Sequence, residues 1–288
     1  MSKLTLATCQ FPVCGDVRAN AEQILRLMAS ARRRGAALAH FPETCLPGYG
    51  GLDFTNMSPV DWASLRMETE RIMRRAAELG LWVVLGSMHQ LTGQRKPHNC
   101  LYVIDERGRL VTRYDKLFCF GRAEPDPTLD FLYYSPGSET VSFEVQGARI
   151  GMLICHDFRY PELYREYKRL GAHLVLHSYY NARMTPAELP YYTAQVRAAS
   201  IAAAASSHLW ISVSNASAPL AHPSFVVRPD GSLAGQLRRH RAGALITNVD
   251  TEIDLWDASR PWRDQCLCGV LHSGEAASDA RSSARTEL

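Results

Sequence analysis

No stretch of this chain is long and apolar enough to cross a bilayer. The opening residues, Met1 to Cys14, hold one short apolar run broken by Gln10 and Pro12, and nothing later reaches the roughly 20 apolar residues of a spanning helix. An excess of one charge is missing too. The 32 basic and 29 acidic residues leave a formal charge of +3, and the basic runs Arg32-Arg33-Arg34 and Arg238-Arg239-His240-Arg241 are short. That balance gives no electrostatic footprint for nucleic acid, so neither a membrane nor a nucleic-acid partner is expected.

The motifs of cofactor chemistry are absent as well. There is no Walker A loop, no GxGxxG, no HExxH, no CxxC and no GxSxG elbow, which removes the simplest cases for nucleotide, zinc and serine-hydrolase chemistry. Cys266 and Cys268 form a lone CxC without two further ligands at metal spacing, so a pair of incidental thiols is expected there and not a metal site. The eight cysteines are scattered, without the regular framework of a small secreted scaffold. A reducing, cytoplasmic setting is the expectation.

What is present is an ordinary globular composition, 288 residues with 46% hydrophobic, enough for one large core. Lys3 to Cys9 reads as a buried strand, Ala19 to Arg34 as a helix stopped by Gly35, and Ala37 to Phe41 as a second strand ending in Pro42-Glu43. A helix from Trp62 to Leu79 stops at Gly80, and Leu81 to Gly86 is the next strand. The chain then switches to hairpins: Leu101 to Ile104 with Leu110 to Tyr114, and Val141 to Val145 with Arg149 to Ile154, the last running into Cys155. A proline-started helix, Pro161 to Leu170, a strand centred on Val175 and an alanine-rich helix, Ala194 to Ser207, follow. Leu209 to Val213, Ser224 to Val227 and Ala244 to Val249 are the last strand candidates, separated by turns such as Pro229-Asp230-Gly231. This alternation predicts a layered α/β fold. With no interdomain linker in view, residues 1–272 read as one domain, and 273–288, rich in Gly, Ala, Ser and charges, as a flexible C-terminal tail.

Three segments carry chemistry. In Ile154-Cys155-His156-Asp157-Phe158-Arg159-Tyr160-Pro161-Glu162-Leu163 a cysteine sits where a buried strand ends and a helix is about to begin. Such a corner projects a nucleophile above a sheet, with backbone N–H groups free to face a developing oxyanion. Phe41-Pro42-Glu43 puts a carboxylate beyond another buried strand, where desolvation raises its pKa toward that of a general base. Tyr114-Asp115-Lys116 delivers a lysine the same way, with Glu124 eight positions later. Taken singly, each has an ordinary explanation: a packed thiol, a turn carboxylate, an exposed lysine.

Together these residues resemble the carbon-nitrogen hydrolase (nitrilase) superfamily, whose Glu, Lys, Cys order matches Glu43, Lys116 and Cys155. The likeness extends over Leu4 to Val249; Pro42, Glu43, Gly48 and Tyr49 match its Pro-Glu and Pro-Gly-Tyr pattern, and Glu124 its second glutamate. The resemblance implies a four-layer αββα sandwich, a homodimer or higher homo-oligomer, no cofactor, and a metal-free amidase working through a cysteine thioester with loss of ammonia. His156-Asp157 after the cysteine, in place of Trp-Glu, favours small amides over nitriles. N-carbamoyl amino acids or amines are the competing substrates, and acyl transfer through the same thioester or a silent scaffold the competing classes. Tyr49, His156, Arg159, Tyr179 and Tyr180 are the expected substrate-binding residues, with Arg159 either holding a substrate carboxylate or pairing with an acid such as Glu162.

Overall fold

The computed structural model describes residues 3–55, 60–181 and 184–286. The first half of the chain comprises β1 (Lys3–Gln10), α1 (Val17–Arg33), β2 (Leu38–His40), α2 (Trp62–Leu79), β3 (Trp82–His89), β4 (His98–Ile104) and β5 (Leu110–Asp115). The second comprises β6 (Ser142–Val145), β7 (Ala148–Ile154), α3 (Pro161–Arg169), β8 (Leu174–Tyr179), α4 (Leu189–Ser207), β9 (Trp210–Asn215), β10 (Phe225–Val227), β11 (Leu233–Gln236) and β12 (Gly243–Asp250), before the short helices α5 (Arg263–Leu267) and α6 (Ala280–Ser283). The strands form two six-stranded sheets, ordered β12-β1-β2-β3-β4-β5 and β11-β10-β9-β8-β7-β6. Each has a parallel centre, β1-β2-β3 in one and β7-β8-β9 in the other.

Local sequence sets the helix ends. The Asp16 carboxylate accepts from the N–H groups of Arg18 and Ala19 at 2.9 and 3.1 Å to start α1, Asp61 accepts from Ser64 at 2.9 Å to start α2, and Gly80 closes α2 in the left-handed conformation. The period of two along the strands sets the layers. Leu4, Leu6 and Leu38 pack in one cluster with Leu174 and Leu176 of the other sheet, whereas Ala7, Cys9, Ala39 and Phe41 pack with Ile24 and Met28 of α1 and Ile72 of α2. Ile211 and Val213 pack with Val196 and Ala204 of α4. The result is the expected sandwich, helices outside and two sheets within, each buried leucine contributing roughly 1.5–3 kcal/mol.

A polar seam crosses the middle of the sandwich. The Ser178 hydroxyl donates to the Phe41 carbonyl at 2.8 Å, so the His40 Nε2–H, 2.9 Å away, donates to Ser178 Oγ. His40 Nδ1 therefore accepts from Ser212 at 2.9 Å, and Ser212 accepts from Thr8 at 2.7 Å. Burial pushes the His40 pKa down to about 3, so the seam carries no charge and every member has a partner.

Where β3 passes beneath the Pro42-Glu43 turn there is no room for a side chain. A Cβ at Gly86 would stand 1.9 Å from the Pro42 carbonyl oxygen and 2.7 Å from the Thr44 nitrogen. Both neighbours are backbone and cannot swing aside, so Gly86→Ala should destabilise the fold by about 3 kcal/mol or more in urea denaturation.

The structure departs from the sequence expectations at a few places. α4 starts at Leu189, not Ala194, taking Pro190 into its first turn. β11, Leu-Ala-Gly-Gln, has no β-branched residue to announce it and forms as an edge strand paired to β10. Leu129–Leu132 and Cys155–Arg159 are short 3₁₀ turns. Residues 273–286 are almost all exposed and include the single turn of α6.

Candidate active site

Three strand ends converge. Glu43 follows β2 and is fully buried, its turn carried by Thr44 at φ +42°. Lys116 is the first residue past β5, tied to the neighbouring β4 by its N–H donating to the Asn99 carbonyl at 2.9 Å, and its side chain is fully buried. Cys155 is the first residue past β7 and sits at φ +41°, a left-handed conformation that few non-glycine residues adopt. The His177 Nε2–H donates to the Cys155 carbonyl at 3.1 Å, while its Nδ1 accepts from the Tyr164 hydroxyl at 2.8 Å. That bond helps hold the strained corner in place.

Lys116 lies between two carboxylates. Its Nζ donates to Glu43 Oε1 at 2.9 Å and to Asp130 Oδ2 at 2.8 Å, with the Tyr49 hydroxyl at 3.4 Å. Burial alone would lower the lysine pKa, but Asp130 and Glu43 overcome it and hold the ammonium well above the ordinary range. Asp130 also accepts from the Tyr49 hydroxyl at 2.6 Å and the Phe120 N–H at 2.9 Å. Against the upward push of burial, Lys116 and these donors keep it below the usual carboxylate range. Glu43 accepts from Asn99 Nδ2 at 2.7 Å and from the Tyr180 N–H at 2.8 Å. Its pKa is nonetheless raised, by burial first, with Asp130 adding to the effect and Lys116 opposing it. One cation shared by two buried carboxylates leaves an excess negative charge, and Glu43 is the member disposed to take a proton.

The thiol of Cys155 opens into a cavity of about 60 Å³, walled by Tyr49, Phe120, His156, Tyr180, Asn181 and Tyr192. Burial and the Glu43 charge push its pKa up, Lys116 pulling the other way, so the resting group is a neutral thiol that needs a base. The Tyr192 hydroxyl stands 3.8 Å from the sulfur. His156 is neutral, burial and then Lys116 lowering its pKa to about 4. Behind Cys155, Asp157 accepts from the Ile154 and Phe118 N–H groups, each at 2.9 Å, and from the Tyr114 hydroxyl at 2.7 Å. It thereby ties the cysteine corner to the loop after Lys116. Among the described residues no group of three His, Cys, Asp or Glu side chains is placed to hold a metal.

Glu43, Lys116, Tyr49, His156 and Tyr180 thus meet around Cys155, but three expected residues do not. Glu124 is exposed, and Asp130 is the second carboxylate on Lys116. The signal was there: Asp130 interrupts the apolar run Leu129-Asp130-Phe131-Leu132, whereas Glu124 stands in a polar loop beside Arg122 and Asp126. Arg159 is exposed, its guanidinium lying over the Phe158 ring at 4.6 Å, and neither lines the cavity nor is seen paired with Glu162. Tyr179 belongs to the core, stacked on His177 at 4.3 Å. No local signal points to Asn99 or Tyr192, which reach the site through contacts between segments far apart in the chain. The carboxylate assignment is open to test: Asp130→Asn should lower kcat about 10²-fold and Glu124→Gln less than about twofold, measured side by side.

Comparison with known proteins agrees with this architecture. Human deaminated glutathione amidase is 28% identical over 183 residues, 59% of this chain and 54% of the relative. The 2-oxoglutaramate amidase of Bacillus subtilis is 25% identical over 173 residues, 60% of this chain and 63% of the relative. The matched region therefore spans less than two thirds of these curated relatives. An amidase from Nesterenkonia sp. superposes with a TM-score of 0.76 over 94% of this chain and 97% of its own, at 21% identity, a likeness of fold. The family model for carbon-nitrogen hydrolases matches residues 5–258, and this chain belongs to the carbon-nitrogen hydrolase family.

Proposed function

We propose that the protein hydrolyses small amides to a carboxylic acid and ammonia through a thioester on Cys155. The observation that carries this is the buried Glu43–Lys116–Asp130 array, at 2.9 and 2.8 Å, acting on a neutral thiol at the mouth of a small cavity. Glu43 accepts the thiol proton as sulfur bonds to the amide carbon, and the carbonyl becomes an oxyanion stabilised by Lys116 and the His156 backbone N–H. The carbon-nitrogen bond breaks, and ammonia leaves with the proton from Glu43. Water then gives a proton to Glu43 as its oxygen bonds to the thioester carbon. The carbon-sulfur bond breaks, Cys155 recovers that proton and the acid is released. Asp130 keeps Lys116 charged throughout and carries no proton.

A screen of ammonium release over primary amides, N-carbamoyl amino acids, N-carbamoyl amines and nitriles tests the reading, with added amine acceptors to reveal acyl transfer. Small primary amides should be turned over. Release from none of them, or amide formation in place of hydrolysis, would sink it.

The eight cysteines are all unpaired, which supports a reducing, cytoplasmic setting. The homo-oligomer that the family resemblance implies would be checked by light scattering.

A further inference from the structure

The cavity wall contains a buried hydrogen-bond donor with nothing to bond to. Asn181 follows β8, is 5% exposed and lines the cavity with Cys155. Its Nδ2 has no partner among the described residues. The orientation of the amide is fixed by its neighbour. Asn215, at the end of the adjacent β9, donates from Nδ2 to the His222 carbonyl at 2.8 Å and to Asn181 Oδ1 at 2.6 Å. A carbonyl can only accept, so the end of Asn215 facing His222 is its NH₂. That group also faces Asn181, which must present oxygen to it and leave its own NH₂ free. A buried donor without an acceptor forfeits the hydrogen bond it made with water, a loss that an incoming acceptor removes.

We infer that Asn181 is a specificity residue that donates to an acceptor oxygen on the acyl group of the substrate, outside the scissile carboxamide. This rests on the amidase reading above. The oxyanion already has Lys116, on the Oε1 side of Glu43, whereas Asn181 follows Tyr180, whose N–H binds Oε2. Ammonia as leaving group carries no acceptor oxygen, so the oxygen belongs to the acyl chain. The preferred substrates are small amides with an ether, keto or hydroxyl oxygen one or two atoms beyond the carbonyl, rather than purely aliphatic ones.

Methoxyacetamide and butyramide, alike in shape and differing by one oxygen, test this, with acetoacetamide as a second acceptor. The rate of hydroxide hydrolysis for each amide corrects for its intrinsic reactivity. In the wild type the corrected kcat/KM should favour methoxyacetamide or acetoacetamide over butyramide at least tenfold. Asn181→Leu and Asn181→Asp, which remove the donor, should bring that ratio to about one. A corrected wild-type ratio near one overturns the inference, whether or not the variants fold. So does a ratio that the variants retain, including an equal loss on all three amides, which would put Asn181 on the scissile carbonyl. Ammonium release from none of the amides by the wild type would instead remove the amidase reading itself.

Discussion

Ammonium release by Cys155→Ala should fall to background, a loss on the order of 10⁵-fold or more, because no other group can form the covalent intermediate. The sulfur lies at the end of β7 with its residue only partly buried, so removing it leaves a gap at the cavity rim and not in the core. The melting temperature should stay within a few degrees, since such a change costs about 1 kcal/mol or less. Wild-type protein quenched during turnover should show an acyl mass increment that the variant lacks. Four other thiols, Cys9, Cys45, Cys100 and Cys119, are buried, and burial raises the pKa of each. A substantially active Cys155→Ala protein would remove the thioester from consideration.

Glu43→Gln should be the next most damaging change, lowering kcat by about 10³-fold, within the range for loss of a positioned proton carrier. The substitution preserves shape and removes one carboxylate from an array with one too many. Lys116 and Asp130 remain as a neutral pair at 2.8 Å, so no orphan charge is created. The linkage sign follows from the raised pKa of Glu43: the ionised carboxylate costs stability once pH rises through its folded pKa, and Gln carries no such cost. The carboxamide NH₂ would face either the Tyr180 N–H or the Lys116 and Asn99 donors, which offsets that gain, so at neutral pH the variant should unfold within a few degrees of the wild type while being almost inactive. Activity requires Glu43 ionised, so the acid limb of kcat/KM should lie above the ordinary glutamate range and disappear from the residual activity of Glu43→Gln. An unshifted acid limb, or an active variant, would move the base elsewhere.

Much of the architecture was legible because periodicity, caps and turns act locally. The helix from Trp62 to Leu79 was read to the residue, since Asp61 and Gly80 are local signals at its two ends. The placement of Glu43, Lys116 and Cys155 was legible because each follows the end of a strand, and strand ends gather at one edge of a sheet. Glu124 matches the family's second glutamate by its distance from Lys116, but distance along a loop says little about which carboxylate folds inward, and the apolar neighbours of Asp130 are the better guide. Arg159 and Tyr179 failed for a related reason. Arg159 stands just after Cys155 and Tyr179 at the end of the next strand, but the 3₁₀ turn at Cys155–Arg159 carries the guanidinium outward onto Phe158, and Tyr179 lies within β8 with its side chain in the core. Asn99 and Asn181 act through bonds to Glu43 and from Asn215, partners 56 and 34 positions away, and no local pattern encodes such pairings.

Because Phe41 and Ser178 are bonded across the sandwich, the backbone that leads to Glu43 is anchored to the strand that leads to Tyr180 and Asn181. Sliding one sheet over the other by a single residue would break the whole relay from Thr8 to Phe41 at once. Glu43 and Lys116 on one sheet and Cys155 on the other are thereby locked in register without any covalent link. Replacements at His40, Ser178 or Ser212 should accordingly act at a distance, loosening the alignment of acid and sulfur even though none of the three touches the cavity.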